Sequence, residues 1–211
     1  QTVCKDNNTG ILTLSNYTGK IDHWLYSEDL GSTWNTINHT DASYTFNNLS
    51  VTNHFRVVVK SGACSSDTSN TVVVSVSPST NAGVLIGTDT VCYDNNAGEI
   101  TLSGYTGDIV RWESSETGDN PWAAISYTND TLAYANTVQT KHYRAVVQSG
   151  ACGAKSSNTV TIKVSPPSKG GIVSGSYEVC AEQNSGTLVL SDYTGEILNW
   201  QYSTDYGTTW D

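Results

Sequence analysis

The segment His142–Cys152 reads HYRAVVQSGAC, and the segment His54–Cys64 reads HFRVVVKSGAC. In the first, Tyr143, Ala145 and Val147 alternate with polar or smaller residues, which is the pattern of a β-strand with one buried face. The two segments lie 88 residues apart (142 − 54), and Cys4, Cys92 and Cys180 keep the same interval (92 − 4 and 180 − 92). A period of this size corresponds to one small domain, so it predicts a tandem array of like modules.

The repeat divides the chain into module 1 (1–76), module 2 (77–164) and module 3 (165–211). We expect module 2 to be complete, module 1 to lack its first strand, and module 3 to be truncated. The stretches Ser77–Thr80 and Ser165–Ser168 join the modules and contain proline, which restricts the backbone. The chain is therefore expected to be elongated, with short and semi-rigid joints.

Composition indicates the fold class. Charged residues make up 14% of the chain and methionine is absent. Short alternating segments separated by Gly, Asn and Asp turns predict about seven strands in module 2. The predicted fold is all-β, with tandem immunoglobulin-like or fibronectin-like β-sandwich domains. One tryptophan recurs on the third predicted strand of each module, and we take these three residues as core aromatics: Trp24, Trp112 and Trp200.

Charge and residue patterns exclude several functions. The formal net charge is −10, and nucleic-acid binding needs a concentrated basic surface. The four histidines show no zinc-ligand spacing, and no serine or cysteine nucleophile recurs beside a base. We expect no catalytic residues, no resident metal, no enzymatic activity and no membrane insertion in this segment.

The cysteines could be disulfides, metal ligands or buried thiols, and the repeat favours disulfides. Cys4 and Cys64 are 60 residues apart, as are Cys92 and Cys152 (64 − 4 and 152 − 92). Pairing within each module respects the repeat, so we predict the bonds Cys4–Cys64 and Cys92–Cys152, with Cys180 unpaired by truncation. Such bonds persist outside the reducing cytosol, which predicts a secreted protein.

Ser27–Trp34 reads SEDLGSTW and Ser203–Trp210 reads STDYGTTW. Their shared pattern is similar to the Asp-box of sialidases and other β-propellers, in which the aspartate accepts hydrogen bonds from turn amides and the tryptophan packs beneath the hairpin. Module 2 departs from the pattern, with SETGDNPW at Ser115–Trp122. We predict structural hairpins built on eight residues: Ser27, Asp29, Gly31 and Trp34 in module 1, and Ser203, Asp205, Gly207 and Trp210 in module 3.

Acidic and amide residues recur after the first cysteine of each module, at Asp6–Asn8, Asp94–Asn96 and Glu182–Asn184. Their oxygens could hold Ca²⁺ near the module joints, although a turn before glycine is the favoured interpretation. The aromatics Tyr26 and Tyr202, where module 2 has Ser114, leave open a sugar-binding platform.

The repeated cassette is clearest in module 2, where Val91–Cys92 precedes GEITLSGYTG (Gly98–Gly107), Trp112 and YRAVVQSGAC (Tyr143–Cys152), and its Asp-box element is clearest at Ser203–Trp210. It resembles the tandem Ig-like modules of giant surface proteins of Bacteroidota, including gliding-motility adhesins of the SprB type. The resemblance implies a bacterial cell-surface location, export by the type IX system, and O-glycosylation at Asp-(Ser/Thr)-apolar sites, which Thr90 and Thr131 match.

From these features we expect a non-catalytic segment of a large bacterial adhesin or filament, acting as a disulfide-stapled stalk that projects a binding region for attachment or gliding. The alternative is a set of glycan-binding accessory modules of a secreted polysaccharide-degrading enzyme. The expected partners are neighbouring modules of the same chain, and extracellular surfaces or polysaccharide.

Overall fold

The computed structural model describes residues 1–182 and 184–211, and every regular element there is a β-strand. Module 1 holds β1 (Thr2–Cys4), β2 (Thr9–Thr13), β3 (Lys20–Ser27), β4 (Asn35–Ile37), β5 (Ser43–Asn47), β6 (Asn53–Lys60), β7 (Asp67–Thr68) and β8 (Val72–Ser77). Module 2 holds β9 (Val84–Ile86), β10 (Asp89–Cys92), β11 (Ala97–Ser103), β12 (Asp108–Ser115), β13 (Ala123–Ile125), β14 (Thr131–Ala135), β15 (Lys141–Gln148), β16 (Lys155–Ser156) and β17 (Val160–Ser165). Module 3 holds β18 (Ile172–Ser174) and β19 (Val189–Ser191).

Module 2 is a sandwich of two sheets. One sheet has the strand order β10-β17-β15-β12-β13, with β16 paired to β15, and the other has the order β14-β11-β9. Module 1 repeats the larger sheet as β1-β8-β6-β3-β4, with β7 on β6, and its smaller sheet is the pair β2-β5. The predicted all-β tandem sandwich is therefore the observed architecture.

The first strand of module 2 differs from the prediction. The pattern predicts one strand within Ala82–Val91, but the chain turns at Gly87, whose φ is +121°. As a result β9 pairs antiparallel with β11 in one sheet, and β10 runs parallel to β17 in the other. A side chain at Gly87 would place its Cβ 2.7 Å from the carbonyl oxygen of Glu99, so the close approach requires glycine.

The parallel pairing determines where the first cysteine of each module lies. β1 is the counterpart of β10, and its register with β8 sets Cys4 opposite Ser77. In the same way Cys92 lies opposite Ser165. Each of these cysteines therefore lies where the last strand of its module enters the joint.

The core of module 2 lies between its two sheets, around Trp112, which is completely buried. Its indole Nε1 donates to the carbonyl oxygen of Asn129 at 3.0 Å, so the buried polar atom has a partner. Trp24 makes the equivalent bond to Asp41 in module 1, also at 3.0 Å. Truncating such a buried tryptophan to alanine costs about 3–5 kcal/mol, so these residues dominate the stability of each sandwich.

Module 3 contains only one pair of strands among its described residues, β18 with β19. The prediction that Trp200 is a core aromatic is wrong for this structure, because 53% of its surface is exposed. The described part of module 3 provides no second sheet to cover it. Leu188, expected to face inward, is 57% exposed for the same reason.

Candidate functional site: the joint between modules

A disulfide crosses the joint between modules 1 and 2. It links Cys4 to Cys152, with a Cα–Cα distance of 4.6 Å and a sequence separation of 148 residues. Cys152 lies in the turn that follows β15, on the side of module 2 that faces module 1. The two modules are thus connected twice, once by the peptide chain through Ser77–Thr80 and once by this bond.

The predicted pairs Cys4–Cys64 and Cys92–Cys152 are wrong, and the sheet registers give the reason. Cys92 lies opposite Ser165, beyond the Lys141 end of β15, because Lys141 pairs with Ile162. Cys152 follows Gln148 at the other end of β15. An eight-residue strand is about 24 Å long, whereas bonded cysteines need Cα atoms within about 7 Å. The two cysteines of one module therefore lie at opposite ends of the sandwich.

Module 1 has the same arrangement, with Cys4 beside Ser77 and Cys64 after the far end of β6. Cys64, Cys92 and Cys180 are exposed free thiols. The repeat misled the pairing because it permits two solutions. A bond to the next module keeps the 88-residue period just as well as a bond within a module, and only the three-dimensional register distinguishes them.

Contacts around the bond hold the turn Ser149–Cys152 against the linker. The amide of Ala151 donates to Ser77 Oγ at 3.3 Å, and the amide of Ser149 donates to Thr80 Oγ1 at 3.0 Å. The sulfur of Cys152 lies 3.2 Å from the carbonyl oxygen of Pro78. Sequence reasoning missed this interface, although the recurring Ser-Gly-Ala-Cys turn and Ser-Pro linker carry its residues.

Gly150 is the point of closest approach in the joint. Its φ is +48°, and a Cβ there would lie 2.2 Å from Ser77 Oγ and 3.0 Å from Ser77 Cβ. Both the backbone conformation and the space therefore demand glycine. The joint is a fitted contact as well as a covalent one.

The predicted hairpin residues of module 1 come together. Thr33 donates to the Asp29 carboxylate from its hydroxyl (2.6 Å) and its amide (2.8 Å), and Ser27 donates from its hydroxyl (2.7 Å). In this order these bonds lower the pKa of Asp29 to about 2. The Trp34 indole donates to the carbonyl oxygen of Gly31 at 2.9 Å, and the amide of Gly31 donates to Ser27 Oγ at 2.8 Å.

Module 3 repeats the carboxylate geometry. The Thr209 hydroxyl and amide donate to Asp205 at 2.6 and 2.8 Å, and the Ser203 hydroxyl donates at 2.8 Å. These bonds lower the pKa of Asp205 to about 2. The amide of Gly207 donates to Ser203 Oγ at 2.8 Å, whereas Trp210 is 60% exposed. Both carboxylates are satisfied within their own turns, which is a structural arrangement.

Module 2 closes its hairpin differently, since Thr117 stands where module 1 has Asp29. Ser115 Oγ donates to the carbonyl oxygen of Asp119 at 2.6 Å and accepts from the amide of Gly118 at 3.2 Å. Trp122 packs under the guanidinium of Arg144, whose Cζ lies 4.0 Å from the ring centre. Arg56 covers Trp34 in the same way at 3.8 Å.

Glu113 on β12 binds two arginines in module 2, one on its own strand and one on β15. It accepts from Arg144 Nε at 2.6 Å and from Arg111 Nε at 2.8 Å. Burial acts to raise the pKa of Glu113, but the hydrogen bonds and charges of the two arginines outweigh it and hold the pKa below its usual range. Module 1 has Leu25 at this position, and there Arg56 Nε is buried with no hydrogen-bond partner among the described residues.

The acidic and amide clusters form turns. Asp6 and Asp94 have φ values of 57° and 59°. The side chain of Asn8 donates to the carbonyl oxygens of Cys4 (2.6 Å) and Leu49 (2.8 Å), and Asn96 bonds Cys92 and Thr137 equivalently. In module 3, Gln183 lies outside the described residues. No group of three or more His, Cys, Asp or Glu side chains with metal-binding geometry occurs in residues 1–182 and 184–211.

The remaining candidate residues lie on the surface or against the core. Thr90 is exposed and Thr131 is half-buried. Tyr26 packs against the core of module 1, whereas Tyr202 is 64% exposed. None of the described residues forms a helix long and apolar enough to span a membrane.

Comparison with known protein families identifies the family of this chain. The profile described as "Domain of unknown function (DUF8696)" matches three successive segments, at residues 1–78, 81–166 and 169–211. The chain belongs to the DUF8696 family. The matched segments follow the repeat, with one segment in each module, so the DUF8696 unit is the module described above. No curated protein is similar enough to the chain to count as a relative.

Solved structures with a similar fold are distant in sequence. A marsupial T cell receptor is 12% identical, with a TM-score of 0.55, and the match covers 90% of this chain and 79% of that one. The N-terminal four Ig domains of Dscam1 isoform 7.44 are 12% identical with a TM-score of 0.41, over 78% of this chain. The fibronectin(III)-like modules of Clostridium thermocellum CbhA are 11% identical with a TM-score of 0.37, over 79% of this chain and 90% of theirs.

The DUF8696 chain spans 43% of the length of the Dscam1 structure. The likeness to the T cell receptor structure shows a shared immunoglobulin-like sandwich fold. At this level of identity it carries no information about ligands.

Proposed function

We propose that this DUF8696 array is a non-catalytic stalk, a repeat segment of a large bacterial cell-surface adhesin or filament that projects a binding region for attachment or gliding. The observation that carries the proposal is the Cys4–Cys152 bond. A covalent bond between neighbouring domains keeps them aligned and transmits force between them, and an isolated binding module needs neither property.

The fitted contact around the bond supports a stiff joint. The linker Ser77–Thr80 is only four residues long and contains Pro78, which restricts its backbone. Ser77 and Thr80 are both hydrogen-bonded to module 2. A joint held by a short linker, a disulfide and these contacts has little freedom to bend.

The extracellular location is part of the proposal. Disulfides persist in oxidising compartments, which supports a place outside the cytosol. Type IX export, a Bacteroidota source and O-glycosylation at Thr90 and Thr131 rest on the sequence resemblance. The exposed side chain of Thr90 is accessible to such a modification.

The stalk has no catalytic residues or resident cofactor in this proposal. Arginine clusters bind the acidic substrate of a sialidase, but Arg56 and Arg144 are stacked on tryptophans and Arg111 is paired with Glu113. The Asp-box aspartates are likewise engaged by their own turns. These contacts support a bracing role.

Small-angle scattering of the oxidised chain tests the proposal, with the C152S variant as the matched control. We expect an elongated particle for the oxidised chain and a broader distribution of inter-module angles for C152S. A compact particle, or identical scattering from both proteins, would contradict the stalk.

A glycan-array screen separates the stalk from the alternative function. The stalk predicts no saturable binding of sugars by these modules. Saturable binding that is lost in a Tyr202→Ser variant would favour the glycan-binding alternative and the platform at that position.

A further inference from the structure

We propose that Cys92 and Cys64 each form an inter-module disulfide of the same kind as Cys4–Cys152, each with a cysteine of a different neighbouring module. Cys92 bonds to the turn cysteine of the module that follows module 2, and Cys64 is the turn half-site that would bond to the strand cysteine of a module placed before module 1. A DUF8696 array would then carry a disulfide across every joint, each bond linking one module to the next. The inference rests on the fold and the Cys4–Cys152 bond, and does not depend on the proposed stalk function.

The first half-site is the same at Cys92 as at bonded Cys4. The residue after each cysteine donates its amide to the last strand, Lys5 to Ser77 at 2.9 Å and Tyr93 to Ser165 at 3.0 Å. Asparagine side chains hold both cysteine carbonyls, at 2.6 Å for Cys4 and 2.7 Å for Cys92. The backbone that presents Cys4 to its partner is therefore already in place around Cys92.

The second half-site is the same at Cys64 as at bonded Cys152. The cysteine amide donates to the serine three residues earlier in both turns, at 3.0 Å for Cys64 and 2.8 Å for Cys152. The glycines of the two turns have similar conformations, with φ values of 54° for Gly62 and 48° for Gly150. The turn is thus preformed in module 1.

The two glycines differ in what faces them. A Cβ at Gly150 would meet Ser77, the last residue of β8, at 2.2 Å, whereas a Cβ at Gly62 has nothing within 4 Å. At Gly150 a positive φ and a close approach coincide. Gly62 keeps the positive φ and faces open space, so the turn is free to receive a neighbour of the kind that Ser77 provides at Gly150.

The strand registers and the 88-residue repeat together determine which cysteine bonds to Cys92. Cys92 cannot bond within its module, because Cys152 lies at the other end of β15 and is already bonded to Cys4. The observed bond spans 148 residues. The same offset from Cys92 leads to the position where the 88-residue repeat predicts the equivalent of Cys152 in the module that contains Cys180. Cys180 has the Cys4 position two repeats later, and the side chain of Asn184 donates to its carbonyl oxygen at 2.9 Å.

The bond forms by oxidation of two thiols. Each thiol loses a proton and the sulfurs lose two electrons in total, which pass to a disulfide oxidant by thiol–disulfide exchange. With glutathione disulfide as that oxidant, two glutathione thiols are released for each protein bond formed. The exposure of Cys64 and Cys92 leaves both thiols open to this exchange.

The test extends the chain so that a joint partner for Cys92 is present. A copy of residues 124–164 is appended after Asp211, which completes module 3 by the repeat and supplies a copy of Cys152. After oxidation in a glutathione buffer and alkylation of free thiols, we expect a disulfide-linked peptide of Cys92 with the appended cysteine, and alkylated Cys180. In the matched C92S version the appended cysteine should be alkylated.

A bond between Cys180 and the appended cysteine, or a free appended cysteine in the extended chain, would overturn the inference. A second variant needs no appended segment. In the C4S variant of the chain itself, Cys152 should become alkylated and stay unbonded to Cys92. Recovery of a Cys92–Cys152 peptide from C4S would equally overturn the inference.

Discussion

Asp29 stabilises its hairpin only while it is ionised, because it accepts hydrogen bonds from Thr33 and Ser27. Its pKa of about 2 lies below the unfolded value of about 3.9. A lowered pKa gives stability that is fully present above the unfolded pKa and is lost as the pH falls through about 2. The hairpin is therefore resistant to mild acid.

We expect D29N to expose the Thr33 amide at neutral pH, because a neutral amide accepts more weakly than a carboxylate. Hydrogen exchange of the Thr33 amide measures this loss of protection. In the wild type, protection should persist at pH 4 and fall as the pH approaches 2. The control is D119N, since Asp119 offers only its backbone to the module 2 hairpin; equal effects of the two substitutions would contradict the role of Asp29.

His54 is the residue at which module 1 is less well satisfied than module 2. Its Nδ1 is buried with no hydrogen-bond partner among the described residues, and Val73 lies opposite it. In module 2 the equivalent His142 Nδ1 pairs with Thr161 Oγ1 at 2.9 Å. Module 1 has Val73 where module 2 has Thr161, so it lacks the hydroxyl that would pair with the histidine nitrogen.

V73T should stabilise module 1 by about 0.5–1.5 kcal/mol, the net value of a new hydrogen bond. T161V should destabilise module 2 by about 1 kcal/mol, because it removes the part-buried hydrogen bond between Thr161 Oγ1 and His142 Nδ1. Urea unfolding of both variants checks the two signs. A loss of stability in V73T would show that the buried nitrogen is not the weak point.

At the scale of strands, Glu113 joins β12 to β15 through Arg144, and its side chain is only 8% exposed. E113Q should destabilise module 2 by about 1–3 kcal/mol at pH 7, because charged hydrogen bonds are lost and Arg144 keeps its charge. The pKa of Glu113 is lowered, so its contribution is present above about pH 4.3, the unfolded value, and is lost as the pH falls through the folded pKa.

Urea unfolding of E113Q and wild type at pH 7 and at pH 3 measures this effect, and the difference between them should shrink at the lower pH. The control is E116Q on the same hairpin, where the exposed carboxylate accepts a hydrogen bond from Gln139 at 2.6 Å. That substitution should change stability by less than about 0.5 kcal/mol.

The joint turns offer a matched pair of glycines. G150A adds a methyl group 2.2 Å from Ser77 Oγ, whereas G62A adds one to an equivalent turn that faces open space. Both substitutions strain a positive φ, so only the difference between them reports on the joint. In a defined glutathione buffer, we expect the oxidised fraction of Cys4–Cys152 to correspond to an equilibrium constant about tenfold lower in G150A than in G62A, or about 1.4 kcal/mol.

Equal redox equilibria for G150A and G62A would mean that the turn contact does not help to form the bond. A second variant, S77A, removes the hydroxyl that accepts from Ala151. It should weaken the bond in the same direction as G150A and leave the turn conformation unchanged.

Sequence patterns predicted the strands because alternation is a local property of each segment. The hairpin residues were predictable for the same reason, since Asp29 and Thr33 lie in one turn. The separation of the first strand into β9 and β10 at Gly87 was not predictable, because one glycine between two apolar runs does not indicate which sheet each strand joins. The disulfide pairing was not predictable either, because the repeat is equally consistent with bonds within each module and with bonds between adjacent modules.

At the scale of the whole molecule, the Cys4–Cys152 bond removes the 147 residues between the two cysteines (152 − 4 − 1) from the path that carries a pulling force. Single-molecule stretching should show no extension from residues 5–151 in the oxidised chain. Reduction should add up to about 500 Å of contour length, at about 3.4 Å per residue. The C152S variant should give the longer contour in both conditions; a wild-type contour independent of reductant would show that the bond is absent.

The same bond changes what a single cut does to the chain. A protease that hydrolyses any one peptide bond between Cys4 and Cys152 opens a loop, and both fragments stay attached through sulfur. If every joint carries such a bond, successive loops overlap from Cys92 to Cys152, and each interior peptide bond lies within at least one of them. Severing the array would then take three cuts, one in each of three successive intervals between cysteines, whereas one cut divides an array whose domains are joined by the peptide chain alone.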